Sequence, residues 1–142
     1  MSGSIKIISV MFFLLMFCGC SVHTYIKLKN NTGERIHVFS SHTKKTIIIE
    51  ANEEKQVDHT IGAITIKTDG GKEWEYDDVA VPDMRNEEYL DKGRKSFFIP
   101  TLHIRLFIEP NGYLYIMKKD ENDVGKSIQK QPDGYPIKPI VN

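Results

Sequence analysis

The chain is poor in cysteine, in net charge and in long apolar runs. Among its 142 residues the two cysteines are Cys18 and Cys20, and none follows residue 20. A disulfide-stapled miniprotein and a cysteine-rich zinc site are therefore excluded. Basic and acidic side chains number 19 each, so the chain lacks the excess of positive charge with which proteins bind a phosphate backbone. We predict no nucleic-acid partner.

Motifs for catalysis and for metal binding are also scarce. The five histidines never form a His-x-His or His-x-x-x-His pair, and no serine lies in a Gly-x-Ser-x-Gly motif. The polar segment at residues 120–125 is predicted to be a loop, and it departs from a calcium-binding loop, because Val124 takes a ligand position and Gln131 stands where the bidentate glutamate belongs. The sequence predicts no catalytic residue, no metal site and no cofactor.

The longest apolar run lies near the N-terminus. Residues 7–17 are apolar except for Ser9, and they follow Lys6 and precede small residues. As a helix this run would span ~16 Å, about half of the ~30 Å hydrocarbon core of a bilayer. A lysine, a short apolar run and small residues in this order are typical of a secretory signal peptide.

The end of this segment, Phe17-Cys18-Gly19-Cys20, resembles the lipobox of bacterial lipoprotein signal peptides. The resemblance implies that residues 1–19 are removed and that Cys20 becomes the lipidated first residue. Lipoproteins of this type carry at least two acyl chains, enough for stable membrane anchoring. Because Ser21 rather than aspartate follows Cys20, the resemblance also implies an outer-membrane location facing the periplasm in a Gram-negative cell.

From residue 25 onward, short runs rich in Ile, Val, Thr, Tyr and Phe alternate with turn residues, which predicts β-strands. Hairpins are expected across the turns at residues 30–33, 69–71 and 110–112, the first of them joining residues 25–29 to 35–40. The complete set of predicted strands is 25–29, 35–40, 46–50, 55–59, 61–68, 72–78, 96–99, 102–109 and 113–118.

Four segments carry more specific expectations. The three isoleucines at residues 47–49 favour a strand covered on both faces or near the centre of a sheet. Trp74 is expected in the core, because the opposite face of its strand is acidic. Residues 79–95 are predicted to form a long connection with at most one helical turn, and residues 131–142 an extended or disordered proline-rich tail.

The pattern as a whole predicts an all-β domain at residues 20–130. Short strands separated by frequent turns favour an antiparallel β-sandwich, immunoglobulin-like or transthyretin-like, with a small open β-barrel as the alternative.

The third hairpin has one aliphatic and one aromatic face. If the aliphatic face is core, the odd-numbered side chains look outward and form a candidate partner-binding strip. The alternative is that a second layer, the long connection or the C-terminal tail covers them. The strip consists of Phe107, Tyr113, Tyr115 and Met117, with Arg105 beside them.

These observations favour a noncatalytic, membrane-anchored β-sandwich that binds an envelope protein or helps to assemble an envelope structure. The alternative hypothesis is an immunity or inhibitor lipoprotein that blocks a toxin or hydrolase in the periplasm. A third hypothesis, an envelope hydrolase, requires the scattered histidines and acids to converge in one pocket.

Overall fold

The computed structural model describes residues 23–57, 62–77, 79, 87–96 and 99–140. The predicted signal peptide and Cys20 lie outside these residues. Nine strands and one short helix are present in the described residues: β1 (His23–Asn30), β2 (Ile36–Ser40), β3 (Lys45–Ile49), β4 (Glu54–Val57), β5 (Ile64–Thr68), β6 (Glu73–Tyr76), β7 (Asp91–Ser96), β8 (Ile99–Ile108), β9 (Leu114–Met117) and α1 (Val124–Gln129).

The strands form two sheets. In sheet A the order is β4-β1-β8, and the long strand β8 pairs with β7 along its first half and with β9 along its second half. In sheet B the order is β3-β2-β5-β6, and all pairs are antiparallel. Among the described residues no strand pairing joins the two sheets. The predicted β-sandwich is confirmed.

Strands β1 and β2 lie in different sheets, so the predicted first hairpin is wrong. Strand β1 pairs with β4 and, in parallel, with β8, whereas β2 pairs with β3 and β5. Each strand has one apolar face, carrying Ile26 and Leu28 in β1 and Ile36 and Val38 in β2, and all four side chains are buried. Placing the strands in opposite sheets turns these faces toward each other across the core.

The core lies between the sheets and follows the predicted alternation. The hairpins β5–β6 and β8–β9 form as predicted, and Trp74 is buried at 4% exposure. Strand β8 runs without interruption through Pro100, although separate strands were expected on its two sides. The buried cluster contains Ile26, Leu28, Ile36, Val38, Ile49, Val57, Ile66, Trp74, Tyr76, Val79, Tyr89, Leu90, Leu102, Ile104, Leu106, Ile108, Leu114, Ile116 and Tyr135.

The prediction for the three isoleucines is wrong, because β3 is an edge strand of sheet B. Successive side chains of a strand point to opposite faces, so Ile49 is buried while Ile48 is 46% exposed. Lys55 Nζ donates a hydrogen bond to the Ile48 carbonyl at 2.9 Å. This lysine occupies one main-chain acceptor of an edge that could otherwise pair with another chain.

Two segments expected to be loops contain regular structure. Strand β7 lies at the end of the predicted 79–95 connection, where it pairs with β8; residues 80–86 of that connection lie outside the described part. Helix α1 begins inside the predicted 120–125 loop, and the Asp123 carboxylate accepts a hydrogen bond from Gly125 N at 2.9 Å at its N-terminus. No described helix is long and apolar enough to cross a membrane.

The C-terminal segment, residues 131–140, is extended and binds both sheets. Leu114 N donates to Ile137 O at 2.9 Å and Ile137 N donates to Leu114 O at 2.8 Å, while Ile140 N donates to Glu75 O at 2.8 Å. The Gln131 amide bonds to the main-chain N and O of Ile116 at 2.9 and 3.0 Å. The segment thereby covers polar edge groups of β9 and β6.

Candidate functional site

The aromatic strip predicted on the third hairpin lies on the outer face of sheet A, but only part of it reaches solvent. Phe107 and Met117 are fully buried, with 0% exposure, whereas Tyr113 and Tyr115 are partly exposed. The rings of Phe107 and Tyr115 stack with centroids 5.1 Å apart. Partner binding through this strip stays a prediction, and its accessible aromatic part is the pair Tyr113 and Tyr115.

Arg105, the fifth residue of the strip, is held by contacts within the chain. Its Nη2 lies 2.8 Å from Glu54 Oε2, and its Nη1 donates to the Glu121 carbonyl at 2.9 Å and to Asn122 Oδ1 at 3.4 Å. These bonds join β8 to β4 and to the loop before α1. A partner could use Arg105 only by competing with these bonds.

The outer face of sheet B carries an exposed patch that the sequence analysis missed. Strand register puts His37 between Ile48 and Lys67 in one row, and Phe39 between Thr46 and Thr65 in the next row. We call these six residues the sheet B patch. Phe39 is 40% and Ile48 46% exposed, and their register makes them diagonal neighbours, within reach of each other for large side chains. The alternation of β2 and β3 contained the signal, because both residues are out of phase with the core.

Two pairs of polar side chains lie in and beside the sheet B patch. His37 Nε2 lies 2.9 Å from Asp69 Oδ1, and Arg35 Nε lies 2.9 Å from Glu50 Oε1. The hydrogen bond to Glu50 raises the pKa of Arg35. These side chains are about half exposed, so their pairs add little to stability. They place polar and charged groups next to Phe39 and Ile48.

An apolar cavity of about 260 Å³ lies between the sheets. It reaches the buried side chains of Leu28, Leu106 and Leu114 and opens to the surface beside Lys45 and Gln56. Lys45 is the only charged residue among the described residues that line it. The lining comprises Ile26, Leu28, Val38, Ser40, Thr43, Lys45, Ile47, Gln56, Val57, Gly62, Ile64, Val79, Leu106 and Leu114.

The exposed lining residues Lys45 and Gln56 lie on the edge strands β3 and β4, near the end of the sandwich where β1 begins. In sheet A this end is marked by Val57, which pairs with Ile26 near the start of β1. In sheet B it is marked by Ser40, which pairs with Lys45 and Ile64. Val57 and the three sheet B residues all line the cavity, which places the starts of β1, β3 and β5 at one end.

The volume of the cavity is unusual for a sandwich core. Protein interiors contain few voids larger than a water molecule. Because this cavity opens to the surface, solvent can enter it, and a ligand that displaced water from its apolar walls would gain ~25 cal/mol per Å² of apolar surface covered. The cavity is therefore a candidate ligand site.

Tyr76 is a buried ionisable residue whose pKa is raised by its surroundings. Its hydroxyl donates a hydrogen bond to the Gly112 carbonyl, and burial raises the pKa of Tyr76. The phenol is neutral at physiological pH and joins β6 to the β8–β9 turn, so its role is structural.

Among the described residues, no group of three or more His, Cys, Asp or Glu side chains is arranged to hold a metal ion. Comparisons with protein-family models, with curated proteins and with solved structures give no significant match to this chain.

Proposed function

We propose that this chain is a noncatalytic, lipid-anchored protein of the bacterial envelope whose β-sandwich binds a protein partner through the sheet B patch. The observation that carries the proposal is the pair of exposed large apolar side chains, Phe39 and Ile48, on adjacent strands. Single exposed apolar residues are ordinary on a protein surface, whereas contiguous ones mark interaction sites.

The surroundings of this pair support a protein partner. Thr46 and Thr65 flank Phe39 in the strand register and supply hydroxyl groups, and the His37–Asp69 and Arg35–Glu50 pairs lie next to them. An apolar centre with a polar, solvated rim is the usual anatomy of a protein–protein interface.

The membrane anchor rests on the lipobox resemblance and on the position of Cys20. This residue precedes the first residue of β1, His23, by three positions, and three residues extend over at most ~10 Å. A lipid on Cys20 would keep the sandwich against the bilayer, with the start of β1 toward the membrane. The partner is then a protein that is available at the periplasmic membrane surface.

Binding of a partner through the patch is tested by cross-linking the protein to its neighbours in intact cells, capturing it from detergent-solubilised envelopes, and measuring how much partner is recovered with it. Ile48→Asp replaces one of the two exposed large apolar side chains of the patch with a charge and should reduce recovery of the partner by about tenfold or more. Ile128→Asp is the matched control, because Ile128 has 40% exposure and lies on α1. Equal recovery with the wild type and both variants would contradict the proposal.

The identity of a partner whose recovery depends on Ile48 separates the two binding hypotheses. A multiprotein envelope complex supports the assembly role, and a single soluble toxin or hydrolase supports the inhibitor role.

The anchor is tested separately by replacing each cysteine in turn. Cys20→Ala should release the protein from the membrane fraction or stop removal of the signal peptide. Cys18→Ala is the matched control and should leave both unchanged. Unaltered processing and membrane association of the Cys20→Ala protein would refute the lipobox interpretation.

A further inference from the structure

We propose that the cavity between the two sheets binds one single-chain amphiphile of the fatty-acid class, with its acyl chain in the core and its anionic head beside Lys45. This is a second binding site, separate from the sheet B patch: the cavity uses the inner faces of the sheets, and the patch uses the outer face of sheet B.

The walls of the cavity select an apolar guest. Its deep part is formed by aliphatic side chains from both sheets, among them Leu28, Val38, Leu106 and Leu114, and all four are nearly inaccessible to solvent. Such a space gives water few hydrogen-bond partners, and apolar cavities in protein cores bind small hydrocarbons. A hydrocarbon chain meets these requirements.

The mouth selects a polar, anionic head. Thr43 and Gln56 lie at the opening together with Lys45, and the buried Ser40 also lines the cavity. Lys45 and Ile47 both line the cavity, as expected for alternate residues of a strand, and Lys45 forms no ion pair with any described residue. A flexible cation at the rim of an apolar space favours a ligand whose tail is apolar and whose head carries a negative charge.

The volume sets the length of the chain. A cavity of ~150 Å³ accepts benzene, with six carbons, which corresponds to ~25 Å³ per carbon. At that ratio the volume of about 260 Å³ holds about ten carbons. A longer chain should leave its remaining methylenes outside the cavity.

The position of the mouth agrees with a membrane source for the ligand. The mouth lies near the end where β1 begins, and this end would face the bilayer if Cys20 carries the lipid. Only the inference that the ligand comes from the membrane depends on the proposed lipidation of Cys20. The binding site itself is inferred from the cavity.

The site is tested with the mature protein, which lacks residues 1–19 and carries Cys20→Ala so that no lipid is attached. All described strands lie within this protein. Its cooperative unfolding is verified before ligand binding is measured. Calorimetric titration with saturated fatty acids of six to sixteen carbons below their micelle concentrations should show affinity rising about fourfold per methylene and levelling at about ten carbons. Absence of decanoate binding, or affinity that keeps rising to sixteen carbons as in surface adsorption, would overturn the proposal. Neither result depends on lipidation in the cell.

Two neighbouring isoleucines supply a matched pair of variants. Ile47→Trp places an indole in the cavity and should weaken decanoate binding by about tenfold or more, whereas Ile48→Trp changes the outer face and should leave it unchanged. If Ile47→Trp does not unfold cooperatively, Ile64→Phe tests the same wall. Equal effects of the cavity variant and the Ile48 variant would exclude this location.

The head-group contact is tested with two neighbouring lysines. Lys45→Glu should weaken decanoate about fivefold and leave uncharged decanol unchanged, while Lys44→Glu should affect neither ligand. If Lys45→Glu weakens decanol and decanoate equally, Lys45 shapes the mouth and does not pair with the head, and this part of the proposal fails.

Discussion

The side chain of Asn30 provides the most stringent test of how the two sheets are held together. It is fully buried at the end of β1. Its Nδ2 donates to the carbonyls of Glu34 at 2.6 Å, Ile49 at 3.1 Å and Glu50 at 3.1 Å, and its Oδ1 accepts from Thr32 N at 3.0 Å and Thr32 Oγ1 at 2.7 Å. One amide thus joins sheet A to the end of β3 in sheet B.

The expected cost of Asn30→Ala follows from these bonds. Two amide protons are shared among three carbonyls, so the substitution removes the equivalent of about four hydrogen bonds, each with a net value of ~1 kcal/mol. Water can replace the amide at the partly exposed partners and cannot do so easily at the buried bond to Ile49 O. We therefore expect a loss of about 3 kcal/mol, a large fraction of the ~5–15 kcal/mol of a typical domain.

Urea unfolding of the two neighbouring asparagine variants measures this effect. Asn31→Ala is the control, because Asn31 Nδ2 donates a single side-chain bond, to Glu109 Oε1 at 2.7 Å, and its loss should cost ~1 kcal/mol. The midpoint should fall much further for Asn30→Ala at an unchanged slope. A difference below ~1 kcal/mol between the variants would refute the assignment of Asn30 as the link between the sheets.

Three further predictions concern the folded core. Gly112→Ala should lower the free energy of unfolding in urea by about 3 kcal/mol, because the residue has φ +80° and a methyl group would overlap the Trp74 indole. Gly134→Ala is the control, with φ +88° and open space around the residue, and should lower it by only ~1 kcal/mol. Equal losses would contradict the overlap. Tyr76 has its pKa raised by burial, so the folded state keeps a proton that the unfolded state loses above pH ~10; stability should be undiminished below that pH and fall as pH rises beyond it. Tyr76→Phe should flatten this alkaline decline in unfolding measurements, and an unchanged slope would assign the decline to other groups. Gln131→Ala should lower stability by about 1–2 kcal/mol and speed amide hydrogen exchange in the middle of β9, and unaltered exchange would show that the amide does not protect this edge.

Local patterns were enough to predict the hairpins β5–β6 and β8–β9. Each hairpin has alternating strands on both sides of a glycine-containing turn, and Gly71 and Gly112 have the positive φ values that such turns favour. The first turn has similar residues and Gly33 also has a positive φ. There the chain passes from one sheet to the other, because a turn sequence sets a local reversal and not the partner of the following strand.

The sequence predicted which side chains share a face of a strand, but not which outer faces are buried by other elements. Alternation correctly separated the aliphatic core face of β8 and β9 from the face that carries Phe107 and Met117. Both of these residues are nevertheless fully buried, and α1 contacts β9. Conversely, Ile48 is the middle of three consecutive isoleucines and was expected to be buried. It is exposed, because it points to the outer face of β3, an edge strand of its sheet.

By itself the sequence determined the class of the fold, the inward and outward sides of most strands and two of the local hairpins, since each depends on residues within a few positions of one another. It also contains the lipobox-like segment that motivates the anchor proposal. Only the tertiary structure decided the parallel pairing of β1 with β8, the position of β3 at an edge, the sheet B patch and the cavity. These features depend on which distant strands pair and on how closely two sheets pack, and residue spacing along the chain contains neither.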